Sequence, residues 1–307
     1  MYFCAVRSFL LTAVAAFLII NICVANAYAV WSTDPTVNTA ISTAAGDQNS
    51  PTIVTDNSGG AIITWHDYRS GNYDIYAQRI NANGNVLWTT DGVAISTAAG
   101  DQNSPTIVTD NNGGAIITWY DYRSGNYDIY AQRINASGVV QWTTDGVAIS
   151  TAANNQYYPF MVSDGSSGAI ITWYDYRSGA NFDIYAQRIN TNGVVQWTAD
   201  GVPISTAANS QERPAIVSDG SGGAIVTWYD YRSGTYSDIY AQRIDANGNV
   251  LWTTNGMAIS TAANNQYYPQ IVSDGSGGAI ITWEDYRSGN WDIYGQRIDA
   301  NGNVLWT

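Results

Sequence analysis

Composition predicts an all-β fold, and a repeat narrows it to a five-bladed β-propeller of four-stranded antiparallel blades. All 12 basic residues are arginine, and glutamate occurs only as Glu212 and Glu284. Helices are normally rich in Leu, Glu and Lys, so a helical bundle is excluded. The 29 glycines and the abundant Ile, Val, Thr, Tyr and Trp are typical of short strands joined by tight turns. The net charge of -13 disfavours nucleic acid as a partner, because nucleic-acid binding needs basic patches.

The first 29 residues are predicted to be a secretory signal peptide rather than part of the fold. Arg7 precedes an apolar run from residue 9 to 24, and small-x-small sites follow at 25–29. The run is shorter than the roughly 20 residues that span a bilayer. The alternative is that the segment stays uncleaved and anchors the protein. Only in that case is a membrane expected as a partner. Both cysteines, Cys4 and Cys23, lie in this segment, so the mature chain is expected to lack disulfides. The signal peptide predicts that the protein is secreted, periplasmic or on the cell surface.

The remainder, residues 30–307, is a single unit of about 54 residues present in five copies. Trp31, Trp88, Trp142, Trp197, Trp252 and Trp306 are equivalent, with spacings of 57, 54, 55, 55 and 54 residues. A second tryptophan in each copy keeps the same period. The predicted repeats are 31–87, 88–141, 142–196, 197–251 and 252–307.

Each repeat divides into four strand-like pieces separated by Gly- and Asn-rich turns. In the second repeat the predicted pieces are 106–109, 115–122, 128–135 and 139–150, the last with a kink at 145–146. The second piece, Ala-Ile-Ile-Thr-Trp, is apolar on both faces, as expected of a strand covered on both sides. Such a strand fits a propeller blade packed between two neighbours. The tryptophans predicted to be structural are Trp65, Trp88, Trp119, Trp142, Trp173, Trp197, Trp228, Trp252 and Trp283.

One segment of about 14 residues per repeat resembles a known blade motif. It runs from Ile239 to Trp252 and recurs as 75–88, 129–142, 184–197 and 293–306. Its Ala, Asp or Asn, turn Gly and following Trp are similar to the motif of the quinoprotein-like propellers. The resemblance implies a Trp docked between neighbouring blades. It does not imply dehydrogenase activity, because the vicinal cysteine pair and the cofactor-binding acids are absent, so no cofactor is expected.

The two ends of the repeat array match each other. The last copy stops where a fourth strand would begin, and residues 30–42 read as such a strand. We expect residues 30–42 to complete the fifth blade and close the ring, which would remove exposed sheet edges. The alternative is that the chain is a structural fragment of a longer repeat adhesin.

The candidate binding residues lie in two loops per blade that share one rim. Aromatic rings stack on sugars, while Asp and Arg give directional hydrogen bonds. For the repeated Asp-Tyr-Arg set, all five copies are unchanged, which favours an ion pair that ties the hairpin and leaves ligand binding as the other role. The predicted binding residues are Asp67, Tyr68, Arg69, Tyr120, Tyr157, Tyr158, Tyr174, Tyr229, Tyr267, Tyr268, Glu284 and Trp291.

Only a few residues break the repeat and so distinguish one blade from another. They include His66, Glu212, Arg213 and Glu284. His66 and Glu284 occupy equivalent positions and would face each other in a closed ring as an acid/base pair or as two exposed substitutions. Because identical blades do not easily build a catalytic set, the sequence favours a non-enzymatic module that binds glycans multivalently or contacts surface proteins. A glycoside-active enzyme on the same scaffold is the alternative. No catalytic or metal-ligating residue is assigned.

Overall fold

A computed structural model describes Ser32 and residues 34–306 of the chain. The predicted signal peptide, with Cys4 and Cys23, and the tryptophan at position 31 lie outside the described residues. Within the described part, all regular structure is β-strand. No helix in this part is long and apolar enough to cross a membrane.

Nineteen strands follow one another along the described chain. They are β1 Gln48–Thr55, β2 Ala61–Asp67, β3 Asp74–Ile80, β4 Val93–Ser96, β5 Gln102–Thr109, β6 Ala115–Asp121, β7 Asp128–Ile134, β8 Val147–Ser150, β9 Gln156–Ser163, β10 Ala169–Asp175, β11 Asp183–Ile189, β12 Val202–Ser205, β13 Gln211–Ser218, β14 Ala224–Asp230, β15 Asp238–Ile244, β16 Met257–Ser260, β17 Gln266–Ser273, β18 Ala279–Asp285 and β19 Asp292–Ile298.

The strands form five antiparallel sheets in sequence order, which confirms the predicted propeller of five blades. Blades one to four have four strands each, and blade five contains β17, β18 and β19. The first strand of each blade contacts the first strand of the next, so β1, β5, β9, β13 and β17 line the axis. The second strands are almost entirely buried in blades one to four, as their two-sided apolar pattern predicts.

Two strands differ from their predicted bounds by more than one residue, for local reasons. In the second repeat, β5 begins four residues earlier than expected, because the ladder continues past a bulge between Asn103 and Thr106. The predicted outer strand is split: a single bridge joins Ile134 to Val140, and β8 starts only at Val147. Asp145 and Gly146 both have positive φ angles, which a continuous strand does not allow.

The tryptophans hold each blade and join it to the next. Trp65, Trp119, Trp173, Trp228 and Trp283 are buried in the second strands. The docking tryptophans donate from Nε1 to a backbone carbonyl of the following blade, as when Trp197 donates to Ala246 O at 3.1 Å. Trp88, Trp142 and Trp252 make the equivalent bond. This geometry agrees with the docked Trp that the sequence resemblance implied.

Blade five lacks the fourth strand that residues 30–42 were expected to supply. Its sheet has three strands, and residues 34–47 form no strand. Ile41 instead packs against Ile63, Trp65 and Ile80 of blade one. The expected pairing is therefore not formed in this structure, because the segment lies against the opposite end of the array.

Candidate functional site

The aspartate and arginine of the Asp-Tyr-Arg set bond to each other and to their own blade. Asp67 is fully buried, and it accepts hydrogen bonds from Trp65 Nε1 at 2.8 Å and Arg69 Nε at 2.8 Å. The Arg69 guanidinium also donates to Asp91 O and lies 3.8 Å over the Tyr76 ring. Burial acts to raise the pKa of Asp67, but these hydrogen bonds outweigh it and hold the pKa below its usual value. The polar atoms of Asp67 and Arg69 already have protein partners, which favours the ion pair that ties the hairpin over a binding role.

A bulge in the first strand of every blade places one side chain at the same end of the axis. The bulge residue always has φ near +50° and always precedes a proline. A positive φ is uncommon for residues with a side chain, and bulges redirect the side chain that they carry. We call the end of the axial channel where these five residues lie the mouth. The mouth residues are Ser50, Ser104, Tyr158, Arg213 and Tyr268.

Ser104 and Tyr158 contact the preceding blade at one recurring position of its second strand. The Ser104 N–H lies 3.4 Å from His66 Nδ1. The Tyr158 ring lies 5.4 Å from the Tyr120 ring and 5.5 Å from the Tyr174 ring. The sequence differences between copies therefore converge at the mouth, where blades differ in chemistry although their backbones repeat.

The aromatic residues of blades two to four form a bowl beside the mouth. It is a cavity of about 450 Å³ with seven aromatic side chains and two charged ones. Five of these residues, all tyrosines, were predicted from the sequence. The bowl is lined by Tyr120, Tyr127, Tyr157, Tyr158, Tyr174, Phe182, Glu212, Arg213 and Tyr229.

Glu212 and Arg213 supply the only charges that line the bowl. The Tyr229 hydroxyl donates to Glu212 Oε2 at 3.0 Å. Arg213 lies 5.5 Å from the Tyr268 ring centroid and, alone among the arginines of the described chain, has no carboxylate partner. The other ten each form an ion pair with an aspartate. A cation and a carboxylate are therefore available to a ligand in the bowl.

The tyrosines beside these charges remain protonated at neutral pH. Burial raises the pKa of Tyr174 well above its usual value. Burial, together with the negative charge of Glu212, raises the pKa of Tyr229 further. Both hydroxyls are therefore neutral hydrogen-bond donors rather than tyrosinate bases.

The remaining predicted binding residues lie around the mouth but outside the bowl. The Tyr267 hydroxyl is 2.9 Å from that of Tyr231, and its ring is 5.6 Å from Trp291. Tyr268 lines the channel, and Tyr68 is an exposed rim residue 5.0 Å from the Tyr73 ring. Glu284 is half-buried and opposite Tyr267 in the β17–β18 ladder.

His66 and Glu284 do not form the pair that a closed ring would allow. His66 packs on Tyr73 at 4.6 Å, and burial lowers its pKa. Glu284 has no hydrogen bond or ion pair with any described residue. The two residues lie on blades one and five, whose facing surfaces are not joined by a shared strand.

The Asp-Gly-rich turns away from the mouth are closed by their own aspartates. Asp56 Oδ1 accepts from the backbone N–H groups of Ser58 and Gly60, while Oδ2 accepts from Arg79. The carboxylate thus serves the turn and the neighbouring strand. Over residues 34–306, no three His, Cys, Asp or Glu side chains are grouped so that they could hold a metal ion.

Blades three and four also differ from the others in the hairpin beside the bowl. In blade two, Asp128 accepts hydrogen bonds from Ser124 and Asn126. One inserted residue in blade three, Ala180, turns Ser178 towards the carbonyl of Asn181 instead. Burial, with the nearby Asp175 charge, then raises the pKa of Asp183 to about 6. Asp238 of blade four has the same shift for the same reason.

Deleting Ala180 should stabilise the protein at neutral pH but not at acid pH. The folded state holds a proton on Asp183 up to about pH 6, whereas the unfolded chain releases it near pH 4. The free energy of unfolding therefore decreases as the pH rises from about 4 to about 6. In the turn of blade two, burial still raises the pKa of Asp128, but two hydrogen bonds oppose the rise. Restoring that turn should therefore recover only part of the loss, about 1–2 kcal/mol at pH 7 and almost nothing at pH 4. Urea unfolding at both pH values measures this difference. A gain that persists when Asp183→Asn is added would show that the carboxyl is not its source.

Comparison with solved structures finds similar folds among enzymes that cleave glycans. The endo-arabinase of Bacteroides thetaiotaomicron is 14% identical, with 85% of this chain and 98% of that chain covered and a TM-score of 0.44. The α-L-arabinanase of Penicillium chrysogenum is 13% identical, with coverages of 82% and 81% and a TM-score of 0.47. A polysaccharide lyase named as an ulvan lyase is 9% identical, with coverages of 83% and 68% and a TM-score of 0.53. No protein-family model matches the chain, and no curated protein matches it in sequence.

These neighbours correct the prediction of a non-enzymatic binding module. The neighbour with a TM-score of 0.53 is a polysaccharide lyase, and none of the neighbours named above is a quinoprotein. The prediction that leaned against an enzyme is wrong by this comparison. At 9–14% identity the likeness itself establishes only the fold, so the chemistry of this chain has to be argued from its own residues.

The sequence prediction of the site missed four residues that line the bowl. Glu212 and Arg213 were recognised as breaks in the repeat but not as binding residues. Phe182 and Tyr127 precede the aspartate that begins the third strand of their blades, and that position changes among Tyr, Phe, Ser and Trp from blade to blade. This variation was the available signal for both residues.

Proposed function

We propose that this chain is a glycoside-active enzyme whose active site is the bowl and the adjoining mouth, with Glu212 as its acid/base group. The observation that supports the proposal is the position of Glu212. It is one of two glutamates in the chain, it lies in an aromatic bowl, and its one protein hydrogen bond comes from a neutral tyrosine. A carboxyl group in such a setting can give a proton to a leaving-group oxygen and take one back.

The rest of the bowl suits a sugar. Tyrosine and phenylalanine rings offer flat apolar faces, and the tyrosine hydroxyls add hydrogen bonds. Arg213, which no aspartate neutralises, can hold an oxygen-rich substituent of the sugar with several donors at once. Binding and orientation of the substrate are assigned to these side chains.

Glycoside hydrolysis requires a second carboxylate, and Glu284 is the candidate. It lies opposite Tyr267, whose ring is 5.1 Å from that of Tyr229, the donor to Glu212. The two glutamates thus flank one pair of tyrosines on neighbouring blades. The second carboxylate would activate water or attack the sugar, depending on its separation from the first. Eliminative cleavage is less favoured, because the raised pKa of Tyr174 and Tyr229 keeps both hydroxyls from acting as bases.

Assays of the purified chain on a panel of polysaccharides test this proposal. The panel includes arabinan and ulvan, the latter to allow for elimination. We expect new reducing ends without the ultraviolet-absorbing unsaturated product that elimination leaves. Folded protein that binds a glycan of the panel but never cleaves one would contradict the proposal, and an unsaturated product would replace hydrolysis with elimination.

We also propose that the reaction takes place outside the cytoplasm. The N-terminal pattern of Arg7, an apolar run and small-x-small sites supports export. Glycans are the partners that the proposal implies. N-terminal sequencing of the secreted product, expected to begin at Tyr28 or Val30, tests this proposal.

A further inference from the structure

The packing between blades is one interface made four times. Between blades one and two, Ile62, Ile75 and Ala77 pack against Ile117 and Trp119. Equivalent residues form the other three contacts. Each blade therefore shows one face to the blade before it and a different, complementary face to the blade after it.

Blade five keeps the second of these faces, and no other blade of the described chain packs against it. Ile293 is 74% exposed, whereas its equivalents Ile75, Ile129, Ile184 and Ile239 are fully buried. Thr282 and Gly295 are exposed as well, and β19 is an unpaired edge strand. Such an edge is a template for another strand.

Blade one keeps the first face, and it too is only partly covered. Ile53 is 66% exposed, while Ile107 at the same position of blade two is half-buried. A groove of about 520 Å³ remains between Ile53, Ile63 and Ile80 and the segment 37–41. This is the place where the second and third strands of a preceding blade would pack.

The segment before β1 lies where the outer strand of a preceding blade would lie, although it forms no strand itself. Residues 39–42 read Thr-Ala-Ile-Ser, which matches the Val-Ala-Ile-Ser of β4 and β8. The Thr43 N–H donates to Asp91 Oδ1, as the Thr97 N–H donates to Asp145 Oδ1 in the next repeat. The segment is thus held on blade one with its other edge lacking a partner strand.

We propose that two copies of this chain associate head to tail, with blade five of one copy packed on blade one of the other. Residues 39–42 of the second copy then pair with β19 of the first as its missing fourth strand. The internal ladders set the register, since Ile239 pairs with Ser260 and Tyr240 with Ala258, so Ile293 would face Ser42. The occupant is a second copy because the chain carries both complementary faces, and within one copy they do not meet. Repetition of a head-to-tail contact gives a ring or a filament.

Cross-linking between two single-cysteine variants tests the proposal. A chain expressed from residue 30 contains no cysteine, and the described residues 34–306 form all five blades without the preceding segment. Ser42→Cys and Ile293→Cys proteins are mixed under mild oxidation, and directly paired strand residues are close enough for a disulfide. Val139→Cys replaces Ile293→Cys in the control, because Val139 is also exposed but lies in a turn away from both faces.

We expect a mixed disulfide dimer from the first pair in clear excess over the control. Light scattering of the unmodified chain should show a mass that increases with concentration, and Ile293→Asp should abolish the increase without lowering Tm, because Ile293 is exposed in a single copy. Two results would overturn the proposal. One is a mass that stays monomeric at all concentrations. The other is a Ser42→Cys/Ile293→Cys double variant that forms its disulfide only within one chain, which would mean that each ring closes on itself.

Discussion

Replacing Glu212 with glutamine should lower kcat/KM on a cleaved glycan by about 10²- to 10⁴-fold, the usual contribution of a positioned acid/base group. Glutamine keeps the size of the side chain and its ability to accept from the Tyr229 hydroxyl. It cannot transfer a proton. The effect should therefore lie in kcat, with little change in KM or Tm. Steady-state kinetics and thermal unfolding of the same samples measure both.

Two further variants make this experiment specific. Glu284→Gln should cause a loss of similar size if it is the second carboxylate. Asp299→Asn is the matched control, because Asp299 lies in a turn at the other end of blade five and blades one to three carry Asn there. Full activity in Glu212→Gln would rule out its assigned role. Equal losses in all three variants would point to misfolding.

Replacing Trp197 with alanine should lower the free energy of unfolding by about 3–5 kcal/mol, as expected for a large core side chain. Trp197 is only 8% exposed and packs among the core residues between blades three and four. Its Nε1 donates to Ala246 O, which would lose this partner. Urea unfolding measures the change.

The array contains its own control for this experiment. Trp306 is the equivalent residue of blade five, but it is 47% exposed and docks on no blade of the described chain. Trp306→Ala should therefore cost less than about 1 kcal/mol in dilute protein, as is usual for a surface residue. Equal losses at Trp197 and Trp306 would show that the docking bond is not what stabilises the array.

The architecture could be predicted from the sequence because its determinants are local and repeated five times. The Ala-Ile-Ile-Thr-Trp strand reports burial on both faces, and the Asn-x-x-Gly and Asp-x-x-Gly turns mark strand ends. Residues 30–42 were wrongly expected to complete blade five, because two matching ends of a repeat array need not contact each other. Whether they do depends on the angle between successive blades, which no single repeat encodes.

The site was predicted only in part because its key geometry comes from the backbone bulge. Nothing in the residue types at Arg213 or Tyr158 indicates a φ near +50°, although the proline that follows each of them is visible in the sequence. Asp67 and Arg69 are polar and recur in every blade, but they recur because they form an internal ion pair. The breaks in the repeat were the better indicator, since a scaffold interaction must be kept in every blade whereas a ligand contact need not be.

At the five bulges, the residues that stabilise the fold are distinct from the side chains that can vary for recognition. Serine, tyrosine and arginine all occupy the same backbone conformation at the mouth, and the ladder and proline around them are unchanged. A single codon change at any of the five positions would alter the chemistry of the mouth without repacking a core. The repeated scaffold thus offers five positions at the mouth that can be substituted independently, one at a time.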